Sequence, residues 1–243
     1  MERSESRSLP PRMSGIGEIK IHPGLPRDIA GLSCEQRILW SAVRLATEKG
    51  FDSVTVFDVI SRAEVTRPAF YQLFESKDEC LFAAYEKVLD SLVAYVARAY
   101  ETDAPWPARI RHAMQACLEA CASEPEVVRM TTLDAPAARP EAQRRYRQAL
   151  ERLEPLFVEG REYAANSIRL PADLERMAVG GAESIIFDEV VAGRAEELSA
   201  RLPDILFAVL APYIGAEAAA AEVRRAEAQV DVREALEQLG GAT

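Results

Sequence analysis

Two short helical stretches separated only by Ala63-Glu64-Val65 constrain this chain more than any other feature. The first runs from about Thr55 to Arg62, with Val56, Val59 and Ile60 as its inward side; the second runs from Thr66 to about Phe74. Helices shorter than about 12–15 residues are marginal in water by themselves. This pair must therefore be held by packing, and a tight turn between two short helices is the helix-turn-helix arrangement.

The elements that would hold it flank it. Ser33-Cys34-Glu35-Gln36 reads as a capping box, followed by Ile38, Leu39, Ala42, Leu45 and Ala46 at helical spacing. Lys49-Gly50 ends that helix, with Gly50 as its left-handed terminal residue and Phe51 as a buried anchor. A second box, Ser76-Lys77-Asp78-Glu79, opens a long helix through Leu81, Tyr85, Leu89, Leu92 and Val96. Val65, Ala69 and Phe70 close a small core on the first helix, which points the N-terminal turn of the third helix outward. Thr66 caps that turn and Pro68 falls where a missing amide hydrogen costs little. Arg67 and Gln72 offer bidentate donors of the kind that read guanine and adenine, and Pro68 and Ala69 suit a thymine methyl. Thr55, Thr66, Tyr71 and Lys77 suit phosphate oxygens, Lys77 at the positive start of the fourth helix.

The ordered set Ile38-Leu39, Ala42, Leu45, Lys49-Gly50-Phe51, Thr55-Val56, Val59, Ala63, Val65-Thr66, Phe70-Tyr71, Phe74, Ser76-Lys77-Asp78 and Leu81 resembles the N-terminal domain of TetR-family transcriptional regulators. That resemblance implies a homodimer with a three-helix DNA-binding head and an all-helical body that binds a small effector, and it implies repression relieved by that effector. Three positions depart from the pattern. Glu64 stands where a glycine is usual, Leu73 where an aromatic or histidine is usual, and Trp40 at a position usually polar, which calls for cover from the N-terminal arm or the body.

The rest of the chain reads as an all-α protein in three parts: a flexible, Pro- and Gly-punctuated arm over 1–32, the DNA-binding head over 33–78, and a ligand-binding and dimerisation body over 79–243. Body helices are expected at about 105–122, 125–133, 138–166, 171–194, 197–214 and 217–238. The net charge of -10 argues against non-specific attraction to nucleic acid, but counted along the sequence the acidity lies mostly beyond residue 82. No apolar run approaches a membrane span and no secretory signal opens the chain, so a cytoplasmic protein is expected. No catalytic constellation, metal-ligand spacing or cofactor fingerprint appears, so neither enzyme, metal nor cofactor is expected.

Cys117 and Cys121 are i, i+4 neighbours, read as small core residues before a thiol sensor or soft-metal pair. The arginine-rich stretch Arg139 to Arg152 reads as a solvated helix face. Val223, Val230 and Leu236 lie at near-heptad spacing on an extra packing helix. A pocket is expected against the fourth helix. Its lining would come from Phe82, Tyr85, Leu89, Leu92, Trp106, His112 and Met114, with Cys117, Leu118, Met130, Leu133, Phe157 and Tyr163. His112, Tyr85 and Tyr163 would orient an otherwise apolar ligand. The helices near 171–194 and 197–214, with Ile186 and Leu206, are expected at the dimer interface. The competing class is a helical adaptor that binds proteins and not DNA; the exposed set Arg67, Tyr71 and Lys77 weighs against it.

Overall fold

The computed structural model describes residues 31–165 and 169–240, with side chains described as far as residue 228. The expected arm up to residue 30 and the side chains of Val230 and Leu236 lie outside the described residues. Among the described residues every regular element is a helix.

α1 (Cys34–Lys49) begins where the capping box places it: Ser33 Oγ accepts from the Gln36 amide at 3.2 Å, and Gln36 Oε1 accepts from the Ser33 amide at 3.0 Å. It ends at Gly50, whose φ of 83° and ψ of 147° lie outside the left-handed helical well; the chain leaves extended, into a 3-10 turn at Phe51–Ser53. α2 (Val56–Ala63) and α3 (Arg67–Leu73) follow, then α4 (Lys77–Tyr100). The second box is only half formed. Ser76 Oγ caps the Glu79 amide, but the Glu79 carboxylate turns to the Glu75 amide at 2.6 Å.

Ile38, Ala42, Val54, Val59, Ala63 and Phe70 are almost wholly buried in one core that continues up α4 through Leu81, Tyr85 and Leu89. That core takes in Val127, Met130, Ala135, Ala142 and Ala149 from the body. Trp40 belongs to it and is buried, and α1 packs against α6 (Pro125–Arg129) of the body. Arg44 of α1 also pairs with Glu124 at 3.3 Å.

The second core centres on α5 (Trp106–Ser123), α10 (Leu174–Val191) and α11 (Leu202–Ile214). The long helix expected over 138–166 is broken. After α6 a wide π turn at Met130–Asp134 leads into α7 (Ala135–Ala138), then α8 (Pro140–Glu151), α9 (Pro155–Val158) and a 3-10 turn. Pro140 and Pro155 each sit at a helix start, where proline belongs and where an uninterrupted helix would lose an amide bond. α12 (Ala216–Gly240) packs on α11 and α5, fixed by the buried pair Arg111–Glu222 at 3.4 Å.

At the far end of the body Trp106 Nε1 donates to the Leu156 carbonyl at 2.9 Å, and its ring packs against Tyr163 and Tyr213. Gly160 lies beneath that ring, where an added Cβ would meet the indole at 2.4 Å.

Candidate nucleic-acid interface and ligand cavity

The turn between α2 and α3 is set by Glu64. Its φ of 53° and ψ of 48° are left-handed, and among the described residues it alone is a non-glycine at positive φ. The bend lets the Glu64 and Val65 amides both reach the Ile60 carbonyl, Val65 at 3.1 Å. α3 then departs at a new angle. Thr66 Oγ1 accepts from the Ala69 amide at 3.4 Å, and Pro68 stands in the first turn. Phe70 is fully buried and anchors the helix, with its ring 5.7 Å from that of Phe74.

Fixing Phe70 inward leaves Thr66, Arg67, Pro68, Tyr71, Gln72 and Leu73 exposed and Ala69 half-buried. The Arg67 guanidinium lies over the Tyr71 ring at 5.6 Å, which holds both on one side of the helix. Thr55 is exposed at the start of α2, with its hydroxyl donating to Asp58 at 2.7 Å. Lys49 and Thr55 together hold the Asp58 carboxyl down at about 2. Phe57, the most exposed large apolar side chain among the described residues at 73%, stands two residues beyond Thr55 and is out of step with Val56, Val59 and Ile60; it is not among the residues expected from the sequence.

Lys77 begins α4 but is already engaged: its Nζ donates to the Asp52 carbonyl at 3.0 Å. Arg139, at the start of α8, joins the same cluster. Its Nε donates to Asp52 at 2.8 Å and a terminal nitrogen to Asp78 at 3.4 Å. The arginine-rich stretch is therefore not simply a solvated face. Arg139 ties body to head, and Arg145 and Arg152 pair with Glu86 and Asp90 along α4.

Between α4, α5, α8 and α10 lies a narrow cavity of about 80 Å3. Leu89, Leu92, Met114, Cys117, Leu118 and Phe157 line it as the sequence pattern suggests. Val93, Cys121, Val128, Ala149, Leu150, Leu153, Val179, Ala182, Ile186 and Ile205 complete the apolar wall. Its polar groups are Thr131, Thr132, Tyr146 and Glu183. Both threonine hydroxyls donate to carbonyls of their own helical segment. The Tyr146 hydroxyl donates to Glu183 Oε1 at 3.4 Å, and burial raises the Glu183 carboxyl above its ordinary range.

The other expected lining residues sit elsewhere. Phe82 packs on Phe51 and beneath Arg145, and Met130 is in the core shared with the head. Tyr85 spends its hydroxyl on the Thr131 carbonyl at 2.7 Å, so it braces α4 against the π turn. Trp106 and Tyr163 form the aromatic floor, where Tyr163 accepts from the Trp106 amide. Leu133 lines the outer mouth. His112 is half-buried away from the cavity, and burial with the neighbouring Arg111 lowers its pKa. None of the three groups expected to orient a ligand therefore faces the cavity; Tyr146 and Glu183 do. Cys117 and Cys121 are buried against it, and their mutual hydrogen bond and burial push the Cys121 thiol well up.

Leu206 is fully buried within the monomer, and Ile186, half-buried, lines the cavity. Exposed instead are Met177, Gly180, Gly181, Ser184 and Val191 on one side of α10, with Phe207 and Ala208 on α11.

Residues 38–84 match the family model described as bacterial regulatory proteins, tetR family. The chain is 33% identical over 76 residues to the transposon Tn10 TetC protein of Escherichia coli, which is 31% of this chain and 39% of that protein. It is 32% identical over 94 residues to the HTH-type transcriptional activator FasR of Mycolicibacterium smegmatis, 38% of this chain and 40% of that one. The chain thus spans about two fifths of the length of the curated relatives it matches. The structure of the transcriptional regulator FadR from Bacillus subtilis in complex with stearoyl-CoA is similar in fold. Its TM-score is 0.59 over 74% of this chain and 97% of that chain, at 16% identity.

Proposed function

By the residues of its helix-turn-helix head the chain belongs to the TetR family of bacterial regulatory proteins, DNA-binding regulators and not enzymes, and we propose that it is a ligand-responsive repressor. It binds a palindromic operator as a homodimer and leaves it when a small, largely apolar molecule enters the body. The observation that carries this reading is the outward first turn of α3, where Arg67, Pro68, Tyr71 and Gln72 stand clear of a core that fixes Phe70. Arg67, Pro68, Ala69 and Gln72 would read base edges, and Thr55, Thr66, Tyr71 and Lys77 would hold phosphates.

A two-fold dimer would meet half-sites about one helical turn apart, or a multiple of it. The exposed stripe Met177, Gly180, Gly181, Ser184 and Val191 with Phe207 is suited to this. Its period is helical, and its glycines would let a partner helix approach closely. The natural division falls near residue 78, with the head before it and the body after it, although the core crosses that line.

Release requires a ligand that prefers one arrangement of the heads. α4 supplies Leu89, Leu92 and Val93 to the cavity and begins in the head. α8 supplies Tyr146, Ala149 and Leu150, and Arg139 at its start grips Asp52 and Asp78. A molecule that parts α4 from α8 would thus move the head through both its backbone and its ion pairs. That stearoyl-CoA is bound by FadR in a similar fold supports an effector with a long apolar part.

The test is a mobility shift with DNA from upstream of the chain's own gene, followed by a thermal-shift screen of hydrophobic compounds and operator release by each hit. A folded protein that retards no fragment of a genomic library would overturn the reading. Hits that bind a Leu89→Trp variant as well as wild type would overturn the cavity as their site. A reporter fused to the operator gives the sign of regulation: expression rising on deletion of the gene means repression.

A further inference from the structure

The cavity is largely apolar, and among the described residues the only charged one that lines it is an acid, Glu183. Among the described residues neither arginine nor lysine lines it. Glu183 sits where the cavity meets its outer mouth, lining both together with Thr132, Tyr146 and Leu150. Its hydrogen bond is from the Tyr146 hydroxyl to Oε1 at 3.4 Å, a neutral donor at long range, and among the described residues no ion pair to Glu183 is formed. Elsewhere in the body carboxylates that leave solvent are matched to guanidinium groups: Glu175 to Arg161 at 2.5 Å, Glu189 to Arg194 at 2.7 Å and Glu222 to Arg111 at 3.4 Å. A partly buried carboxylate without a cation is costly, because desolvation penalises its charge and one long hydrogen bond from a neutral hydroxyl offsets only part of that penalty.

We propose that Glu183, oriented by Tyr146, is the polar recognition point of this cavity and selects an apolar molecule bearing a protonated amine over a fatty acid or another apolar anion. This rests on the reading of the cavity as the effector site. The apolar part of such a molecule fills the space among Leu89, Leu118, Phe157 and Ile205, and its ammonium stops at Glu183 beside the mouth. The fold has already incurred the cost of desolvating the carboxylate, so an incoming cation gains more there than at a solvated acid. The threonines cannot serve as donors to an anionic headgroup, since their protons are held by the Val127 and Val128 carbonyls. An anionic headgroup would meet Glu183 with no lining cation to offset it. Arg147 is exposed at the outer mouth, where solvent and salt screen it, and Asp188, also exposed on α10, adds to the negative field.

The burial that raises the Glu183 pKa also allows it to be protonated with no cation bound, when it would donate to a neutral carbonyl. Glu183→Gln separates the two possibilities. Glutamine keeps the volume, still accepts from Tyr146 and can donate to a carbonyl, but it cannot neutralise an ammonium.

The experiment measures binding of octylamine, 1-octanol and octanoate to the full chain by isothermal titration, for wild type and Glu183→Gln. The three probes share a chain and differ in headgroup charge. Octylamine is expected to bind wild type at least about tenfold more tightly than octanoate. Glu183→Gln should weaken octylamine about tenfold and leave octanol within about threefold, each tenfold being about 1.4 kcal/mol. Octanoate binding as tightly as octylamine to wild type, which needs no variant, overturns the assignment. So does octylamine binding unchanged by Glu183→Gln. If octanol binds and octylamine does not, Glu183 falls while the cavity stands as an effector site. If none of the three binds either protein, the cavity reading falls with it.

Discussion

Glu64 supports a quantitative prediction, because one residue sets both the angle of α3 and part of the charge beside it. A non-glycine residue in the left-handed region costs about 1–2 kcal/mol. Glycine removes that cost but has more backbone freedom to lose on folding, about 0.5–1 kcal/mol. The Glu64 side chain is exposed, so little packing is lost with it. Glu64→Gly should therefore stabilise the protein by about 0.5–1 kcal/mol, a rise in Tm of about 1–4 °C for a chain of this size. Glu64→Asn should gain part of this, since asparagine tolerates the left-handed well, and Glu64→Gln should gain almost nothing. Glu64→Val should lose stability, because a β-branched side chain is poorly accommodated at positive φ. Operator affinity should follow a different order. All three of Gly, Asn and Gln remove a negative charge next to the exposed face of α3, so all three should bind DNA more tightly than wild type at low salt, with the difference shrinking as salt rises. Thermal melts and mobility shifts on the same four variants separate conformation from charge. A glycine variant no more stable than the glutamine variant would refute the claim that this turn is strained. Unchanged affinity in the glutamine variant would refute the placement of this turn near phosphate.

Arg67→Ala should cost about 1–3 kcal/mol at one operator position and relax specificity there, as read by binding to single-base operator variants. Lys77→Ala should weaken binding to all sequences and lower the slope of log K against log salt by about one, although loss of its bond to the Asp52 carbonyl adds a small stability cost. Phe207→Glu places a charge on the exposed stripe and should convert a dimer to a folded monomer in sedimentation, whereas Leu206→Glu, wholly within the monomer core, should unfold the body. Arg139→Ala removes the tie from α8 to Asp52 and Asp78. It should leave both operator and effector binding within a few-fold of wild type while reducing the ability of one to displace the other, measured as the ratio of operator affinities with and without effector.

The head was legible in the sequence because its determinants are local. Ser33, Thr55 and Thr66 each cap the amide three residues ahead, and Gly50 ends α1 within the same stretch that predicts it. Even the departure at Glu64 was visible, because the turn demands a backbone conformation whatever the side chain. The body was legible only as helices. Which face of each is turned where depends on partners far along the chain, and apolar composition does not distinguish a cavity wall from a floor or a dimer face. Trp106 and Tyr163 went to the floor, Leu206 to the monomer core and Tyr85 to a brace, although all carry the same apolar signature as Leu89 or Phe157. Some signals went unused. Pro140 and Pro155 mark the breaks in the 138–166 region. Ala142, Tyr146, Ala149, Leu150 and Leu153 recur at helical spacing on α8 and its end, a phase that turns Tyr146 inward among residues otherwise rich in charge. Glu183 carried no such signal. It lies on α10 beside Ala182 and Ile186, and only the approach of α8, 37 residues earlier, makes that position a polar point in an apolar cavity.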